Sequence, residues 1–211
     1  NLILFLVHTY ETTKQKNMKS RNLLILAIAI FLGITQSSCN YNAFVTAEEE
    51  VNKAWSQVEN VYQRRADLVP QLVSTVKGAA EFEKSTFEAV TEARAQASSI
   101  KLDPSQMTEA DLQQFQQAQD NLSKSLGRLM VTVEKYPDLK ATANFKDLQA
   151  QLEGTENRIA VERKKFNEAA QSYNTMIRRF PKNLLAKIYG FEKRPYFQAS
   201  PEASQAPVIE F

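Results

Sequence analysis

The chain has 211 residues, with 26 basic and 24 acidic side chains, a single histidine and a single cysteine. This nearly balanced charge does not indicate that the protein as a whole is attracted to nucleic acid or to an anionic membrane. Because His8 precedes the cleavage site predicted below, Cys39 alone cannot supply a usual zinc site, a nucleophile–histidine pair or a disulfide framework. The composition therefore predicts no metal, no cofactor and no small-molecule substrate. Catalysis by carboxylate, lysine or tyrosine side chains stays open.

The N-terminal part of the chain has the layout of a secretory signal. Two basic residues follow the first methionine and precede the apolar run LLILAIAIFL at 23–32. This run is shorter than the roughly 20 residues that cross a hydrocarbon core of about 30 Å. Small residues and Cys39 follow it, and this order resembles a bacterial lipoprotein signal, with Gln36 where the usual motif has leucine.

The position of Cys39 therefore predicts a lipid anchor. We expect residues 1–38 to be upstream residues and signal peptide, and residues 39–46 to form a lipidated linker. An ordinary signal, an uncleaved anchor and a buried structural cysteine are the alternatives. Four basic residues and one acidic residue precede Cys39, so the mature chain would carry a net charge of −1. Lipidation would hold the domain to a membrane of the cell envelope, facing the periplasm.

The segment 47–100 carries an apolar stripe at helical spacing. It follows Thr46 and begins with acidic residues that suit a helix N-terminus. Pro70 falls inside the stripe, where it removes a backbone hydrogen bond and disfavours helix at the preceding residue. The segment is therefore one long helix kinked near Pro70 or two helices in tandem. The stripe stays in phase across Pro70, which favours the kinked helix.

Two further segments carry regular apolar seams at steps of three and four residues. Seven of eight such positions are apolar between 112 and 136, and nine of eleven between 145 and 180. Strands would alternate by twos, which neither segment does. Thr108 with Asp111 predicts a capping box before the first seam, and Asn144 is predicted as the N-cap of the second.

The sequence changes character after the second seam. Gly190 and Pro195 interrupt an apolar and aromatic stretch, which predicts a short helix followed by an extended piece. Residues 198–211 have the composition of a flexible tail. We therefore expect an all-α fold, an up-and-down bundle of three to four long helices, over residues 47–197.

Two long blocks of sequence carry a family resemblance. YNAFVTAEEEVNKAWSQVENVYQRRADLVPQLVSTVKG at 41–78 and AAQSYNTMIRRFPKNLLAKIYGFEKRPYF at 169–197 resemble the opening and closing blocks of the LemA family of bacterial envelope proteins. The resemblance covers about residues 41–197. It implies a bundle of long helices held to a membrane at its N-terminus. It implies no reaction, since the family has no established catalytic activity.

A polar and aromatic cluster before Pro70 is a candidate interaction site. Arg65 lies close to the apolar stripe, so it could be half-buried and paired with Asp67, with Glu59 or with a carboxylate of another helix. A structural ion pair that supports the kink is the favoured interpretation, and contact with a ligand or partner is the alternative. The cluster consists of Trp55, Tyr62, Arg64, Arg65 and Asp67.

Region 158–194 holds ten basic residues against three acidic ones. Phe166, Tyr173 and Phe180 are interleaved with these charges. A basic amphipathic surface that touches lipid headgroups or an acidic partner is one interpretation. The favoured one is that the three aromatic residues are core and the basic face is solvated, since they keep the phase of the seam. Acidic residues in 47–59 could then neutralise the basic charge within the bundle.

Carboxylates at helical spacing leave a remote possibility of a hydrolase. Glu83 interrupts the apolar seam of its segment, as does Arg94, but acidic residues at this spacing usually form a solvated face. The carboxylates are Glu81, Glu83, Glu88 and Glu92. We therefore expect a protein that is not an enzyme, a membrane-anchored scaffold or docking partner for another envelope protein. Direct binding of 158–194 to the membrane surface is the alternative.

Overall fold

A computed structural model describes the backbone of residues 2–77 and 84–198, and the side chains from residue 40 onward within these ranges. The described backbone contains helices and no strand. The predicted signal peptide, Cys39 and residues 199–211 of the predicted tail therefore lie outside the described side chains. The helices are α1 (Leu2–Lys77), α2 (Lys84–Ser99), α3 (Glu109–Val133), α4 (Pro137–Ala141), α5 (Ala143–Arg178) and α6 (Lys182–Tyr189).

The long helices run alternately up and down, as predicted. Along α1 and α5 the contacts run in opposite directions, because Trp55 packs on Phe166 with ring centroids 5.6 Å apart while Arg65 bonds to Glu156 at 2.7 Å. On this register Tyr41 is level with the end of α5. Helix α2 packs antiparallel to α1 and α3, and α3 runs parallel to α1. The prediction of an all-α bundle is confirmed.

The predicted seams form the core. On α3, seven of the eight seam positions are buried, and Tyr136 beyond its end is half-buried. On α5, the seam is buried or half-buried from Phe145 through Met176. Phe180 is the exception, because α5 ends at Arg178 and the side chain of Phe180 is 81% exposed. A proline disfavours the helical conformation of the residue before it, so the helix that carries the seam ends before Pro181. The spacing of the seam therefore no longer predicts which side chains are buried.

Helix termini follow the predicted caps in part. The capping box of Thr108 and Asp111 is present. The N-cap of α5 is Thr142, whose hydroxyl accepts from the Phe145 amide at 3.3 Å, so the prediction of Asn144 is wrong. The predicted helix start at Thr46 is also wrong: α1 runs through residues 40–46, and the Thr46 hydroxyl donates to the carbonyl four residues back. Residues 40–46 are therefore helical.

Pro70 lies inside α1 without ending it. A break at Pro70 is therefore wrong: the described helices of 47–100 are α1, which continues to Lys77, and α2, which begins at Lys84. Because proline has no amide hydrogen, the carbonyl of Ala66 loses its partner four residues on. The guanidinium of Arg94 on α2 replaces it, since its Nε donates to the Ala66 oxygen at 2.7 Å.

Residues 191–198, the C-terminal strap, run extended along α5. Gly190 ends α6 with φ 78°, a left-handed conformation that glycine adopts without strain. Asn174 then pairs with both the amide and the carbonyl of Arg194, at 2.9 and 2.8 Å. Asn167 does the same with Phe197, at 2.9 and 3.0 Å. The chain after α5 thus consists of the short helix α6 and this strap.

Membrane-spanning character can be judged only for the part of the chain that the structure describes. Within that part, no helix is both long and apolar enough to cross a bilayer.

The hydrogen bond from Arg94 to Ala66 yields a test by double-mutant cycle. Arg94→Met should lower the free energy of unfolding by about 1.5–3 kcal/mol, because it leaves a buried carbonyl without a donor. In a Pro70→Ala background the same substitution should cost at least about 1 kcal/mol less, since the alanine introduced there supplies the missing amide. Denaturant unfolding of the four proteins measures this coupling. Additive losses would show that Arg94 acts independently of Pro70.

Candidate functional site

Arg65 lies at the centre of a polar network that joins three helices. Its side chain comes from α1 and is 1% exposed. One terminal nitrogen donates to the Ser123 hydroxyl at 2.5 Å and to the Glu156 carboxylate at 2.7 Å, and the other donates to the Gln119 side chain at 2.6 Å and its carbonyl at 3.1 Å. The sequence left three kinds of partner open for Arg65, and the one found in the structure is the carboxylate of another helix. We call this group the Arg65 network.

The other members of the predicted cluster lie in different environments. Trp55 is buried and contacts Phe115, Phe166 and Phe197, so it belongs to the core. Tyr62 is buried beneath the Arg65 guanidinium, 5.1 Å from it. Arg64 and Asp67 are exposed, and Asp67 accepts a hydrogen bond from Gln63 at 2.8 Å. The five residues thus do not converge on one site.

An open cleft lies beside this cluster, where α1 meets the end of α2 and the start of α3. We call it the α1–α3 cleft, and its volume is about 480 Å³. Its lining mixes aromatic and aliphatic side chains with amides, the amine of Lys101 and one carboxylate, that of Glu59. Burial raises the pKa of Glu59 above its ordinary value, so this carboxyl would gain from a hydrogen-bond donor. Lining residues include Glu59, Tyr62, Gln63, Ile100, Leu102 and Phe115.

A second buried network surrounds Arg194 of the C-terminal strap. Its guanidinium donates to the Glu48 carboxylate on α1 and to the Ser105 carbonyl in the loop before α3. It also lies 5.7 Å from the ring of Tyr173. Burial, with a smaller contribution from Glu48, raises the pKa of Tyr173 to about 12. Sequence reasoning missed this network, because nothing in a local pattern brings residues 48, 105 and 194 together.

Acidic residues of 47–59 were expected to neutralise the basic region 158–194, and one does so. Glu48 pairs with Arg194. Within α5, Lys164 and Lys165 pair with carboxylates of their own helix. Arg163 lies over the ring of Phe197 and donates to the strap at 2.9 Å. The three consecutive basic residues 163–165 are therefore all paired within the bundle.

Phe166 and Tyr173 lie in the core, as the favoured interpretation of the basic region predicted, whereas Phe180 does not. Phe180 belongs to a group of exposed apolar side chains around α6, which we call the α6 surface. Leu184 and Ile188 follow one and two turns later and are 56% and 75% exposed. Tyr189 is partly exposed and packs against Tyr41 with ring centroids 5.2 Å apart. The sequence contained one signal for this surface, which is Pro181. A proline at this position ends the preceding helix, so Phe180 no longer belongs to the apolar seam.

The carboxylates considered for catalysis form no described site. Glu81 and Glu83 lie outside the described residues. Glu88 pairs with Lys84 on the exposed face of α2, and Glu92 accepts from Gln96 at 3.4 Å. Among the described side chains, no group of three or more histidine, cysteine or acidic residues is arranged to hold a metal ion.

Comparison with known proteins agrees with the bundle and with the two blocks of sequence. A family model described as the LemA family matches residues 54–211. The chain therefore belongs to the LemA family.

Several relatives resemble most of the chain. Magnetosome protein MamQ of Magnetospirillum gryphiswaldense is 30% identical over an alignment of 206 residues, which covers 89% of this chain and 75% of the relative. Magnetosome protein MamQ 2 of Paramagnetospirillum magneticum is 29% identical with the same coverage. Protein LemA of Metamycoplasma hominis is 26% identical over 176 residues, with 83% and 76% coverage.

The family and these relatives support a membrane- or envelope-associated helical protein. Neither the LemA nor the MamQ name is that of an enzyme family.

The Arg65 network yields a stability test with a neighbouring control. Arg65→Ala should lower the free energy of unfolding by about 2–3 kcal/mol, because it leaves Gln119 and the partly exposed Glu156 without their donor and opens space between three helices. Arg64→Ala, one residue away and exposed, should change it by less than about 0.5 kcal/mol. Denaturant unfolding measures both. Equal effects would contradict a structural role for Arg65.

Proposed function

We propose that this protein is a lipid-anchored docking protein of the cell envelope that is not an enzyme. Cys39 carries the anchor, the bundle faces the periplasm, and the α1–α3 cleft receives a segment of another envelope protein. The observation that carries this proposal is the antiparallel register of α1 and α5. It supports an arrangement in which the attachment point and the cleft lie at different heights along the bundle.

The height of the cleft follows from helix geometry. Tyr41, two residues after Cys39, lies at the end of the bundle that holds α6. Tyr62 in the cleft is 21 residues further along α1, a rise of about 32 Å at 1.5 Å per residue. When the chain is anchored at Cys39 and the bundle stands upright on the membrane, a cleft at this height is clear of the lipid headgroups. It is therefore open to a protein partner.

The chemistry of the cleft favours a polypeptide over a small substrate. It opens to solvent along three helices, and its lining has separate apolar and polar parts. Ile100, Leu102 and Phe115 suit an apolar side chain of the partner, and Glu59 suits a donor such as a lysine, an arginine or an amide. The relatives called magnetosome proteins are named for a structure and not for a reaction, which agrees with a docking role.

Lipidation can be tested by metabolic labelling with a fatty-acid analogue. The wild-type protein should incorporate the label and sediment with membranes, and Cys39→Ala should lose the label completely because no other thiol exists in the chain. Membrane fractionation of the same cells shows whether attachment depends on the lipid. Equal labelling of both proteins would refute the anchor.

Docking in the cleft can be tested by site-specific photo-crosslinking in intact cells. A photoreactive residue at Gln63, exposed at the rim of the cleft, should give a discrete crosslinked envelope protein. The matched control is the same residue at Gln151, which is exposed on α5 outside the cleft lining. A second substitution, Leu102→Asp, should reduce the crosslink at Gln63 at least about fivefold by placing a charge in the apolar part. Identical crosslinks at both positions would refute docking in the cleft.

The alternative function, direct binding of 158–194 to lipid, is supported only over the final part of that region. Lys164 and Lys165 are paired within α5, and Phe166 and Tyr173 are buried. The part of the region that is still a candidate for lipid binding is the α6 surface.

A further inference from the structure

Exposed apolar side chains concentrate at one end of the bundle. Among the described residues, eight large hydrophobic side chains are exposed, and five of them lie at the end where α1 meets α6. A concentration of this kind marks an interaction surface, whereas isolated exposed residues do not. The five are Tyr41, Phe180, Leu184, Ile188 and Tyr189.

The geometry of α6 directs this surface outward. Ala186 is buried against the bundle, and Leu185 is half-buried beside it. Leu184 and Ile188, one turn apart, therefore share the opposite face. The helix is held in place at its end, where Phe191 packs against Phe44 of α1 with ring centroids 5.2 Å apart. The face presented to solvent is thus a fixed part of the fold.

Positive charge surrounds the same side chains. Arg178, Arg179, Lys187 and Lys193 are exposed, and Lys182 is half-buried. Within the described part of the chain, no ion pair joins any of these five to a carboxylate. Glu192 is the only acidic residue between 178 and 194, in contrast to the paired charges upstream.

The nearest carboxylates on α1 do not cancel this charge. Glu48 is paired with Arg194, and Glu50 with Lys53 of its own helix. On α5, Glu168 lies beside Arg179 and Lys182 but is paired with Lys164. The α6 surface therefore presents a net positive field around an apolar centre.

The position of the α6 surface indicates what covers it. Tyr41 contacts Tyr189 and follows Cys39 by two residues, a rise of about 3 Å along α1. The apolar run 23–32 lies further upstream. The chain outside the described side chains therefore enters the bundle at this end. The location of the membrane at this end of the bundle rests on the proposed anchoring. The apolar and basic character of the α6 surface does not depend on it.

We propose that the α6 surface lies on an anionic lipid bilayer. Phe180, Leu184 and Ile188 enter the boundary between headgroups and acyl chains, and Arg179, Lys182 and Lys187 contact the phosphates. Helices that bind at this depth combine an apolar face with basic flanks, and each basic residue near an anionic surface contributes to attraction. The lipid contact would fix the tilt of the bundle, which a flexible anchor alone leaves free.

The contact can be tested with a fluorescent probe in the full chain. Cys39→Ser removes the lipid and the only native thiol, so an introduced cysteine is labelled alone. Ile188→Cys places an environment-sensitive dye on α6. Val131→Cys, at a side chain of matched exposure (70%) at the other end of the bundle, is the control. Both proteins are mixed with phosphatidylglycerol-containing or pure phosphatidylcholine vesicles whose acyl chains carry bromine as a quencher.

We expect quenching at position 188 in anionic vesicles, little in neutral vesicles and none at position 131. Lys182→Glu with Lys187→Glu should reduce quenching at 188 at least about fivefold, whereas Lys146→Glu with Lys164→Glu on α5 should leave it unchanged. No quenching at 188, equal quenching at 188 and 131, or equal quenching in both vesicle types would overturn the proposal. Because these proteins carry no lipid, failure here is distinct from failure of the labelling experiment on Cys39.

Discussion

The buried guanidinium of Arg65 fixes the register on which the rest of the bundle depends. Apolar seams with a regular repeat allow two helices to slide by whole turns at modest cost, because one aliphatic side chain replaces another at the contact. Hydrogen bonds to Glu156, Ser123 and Gln119 give this contact defined polar partners, which an apolar seam lacks. Burying this charge is costly unless it is paired, so the alignment of α1, α3 and α5 that brings these partners to Arg65 is favoured.

That alignment determines which residues of different helices lie at the same level along the bundle. It sets Tyr41 beside α6 and brings Glu48 to Arg194 of the C-terminal strap. It also leaves the α1–α3 cleft about 30 Å from the point where the chain enters the bundle. The proposed anchor, the proposed lipid contact and the proposed docking cleft are therefore consequences of a single register. A shift by one turn would separate the aromatic contacts of Tyr41 from α6 and expose Arg65.

Basic side chains serve two different purposes in this fold. Arg65, Arg94 and Arg194 supply hydrogen bonds to carbonyls and carboxylates inside the bundle, and Arg94 replaces the amide that Pro70 lacks. The basic residues around α6 have no such partner in the described part of the chain. A count of charged residues along the sequence does not distinguish these two groups of basic side chains. Only the second is available to a membrane surface or an acidic molecule.

The amino-acid sequence by itself determined the helical character, the faces that form the core, the capping box at Thr108 and the change of structure after Phe180. These properties are local, because a repeat of 3.6 residues decides which side chains share a face and a cap needs only its own turn. The family was also recognisable from two continuous blocks. Even some local predictions were wrong: Thr142 and not Asn144 caps α5, and α1 does not begin at Thr46.

Only the tertiary structure decided which distant groups meet. The sequence left three partners open for Arg65 and gave no indication that Arg94 would serve the carbonyl of Ala66. It predicted Phe180 as core, because the phase of the seam was extended past a helix that ends at Arg178. The α1–α3 cleft and the α6 surface arise where separate helices terminate against one another. Such contacts depend on register and chain direction, which a pattern within one helix does not contain.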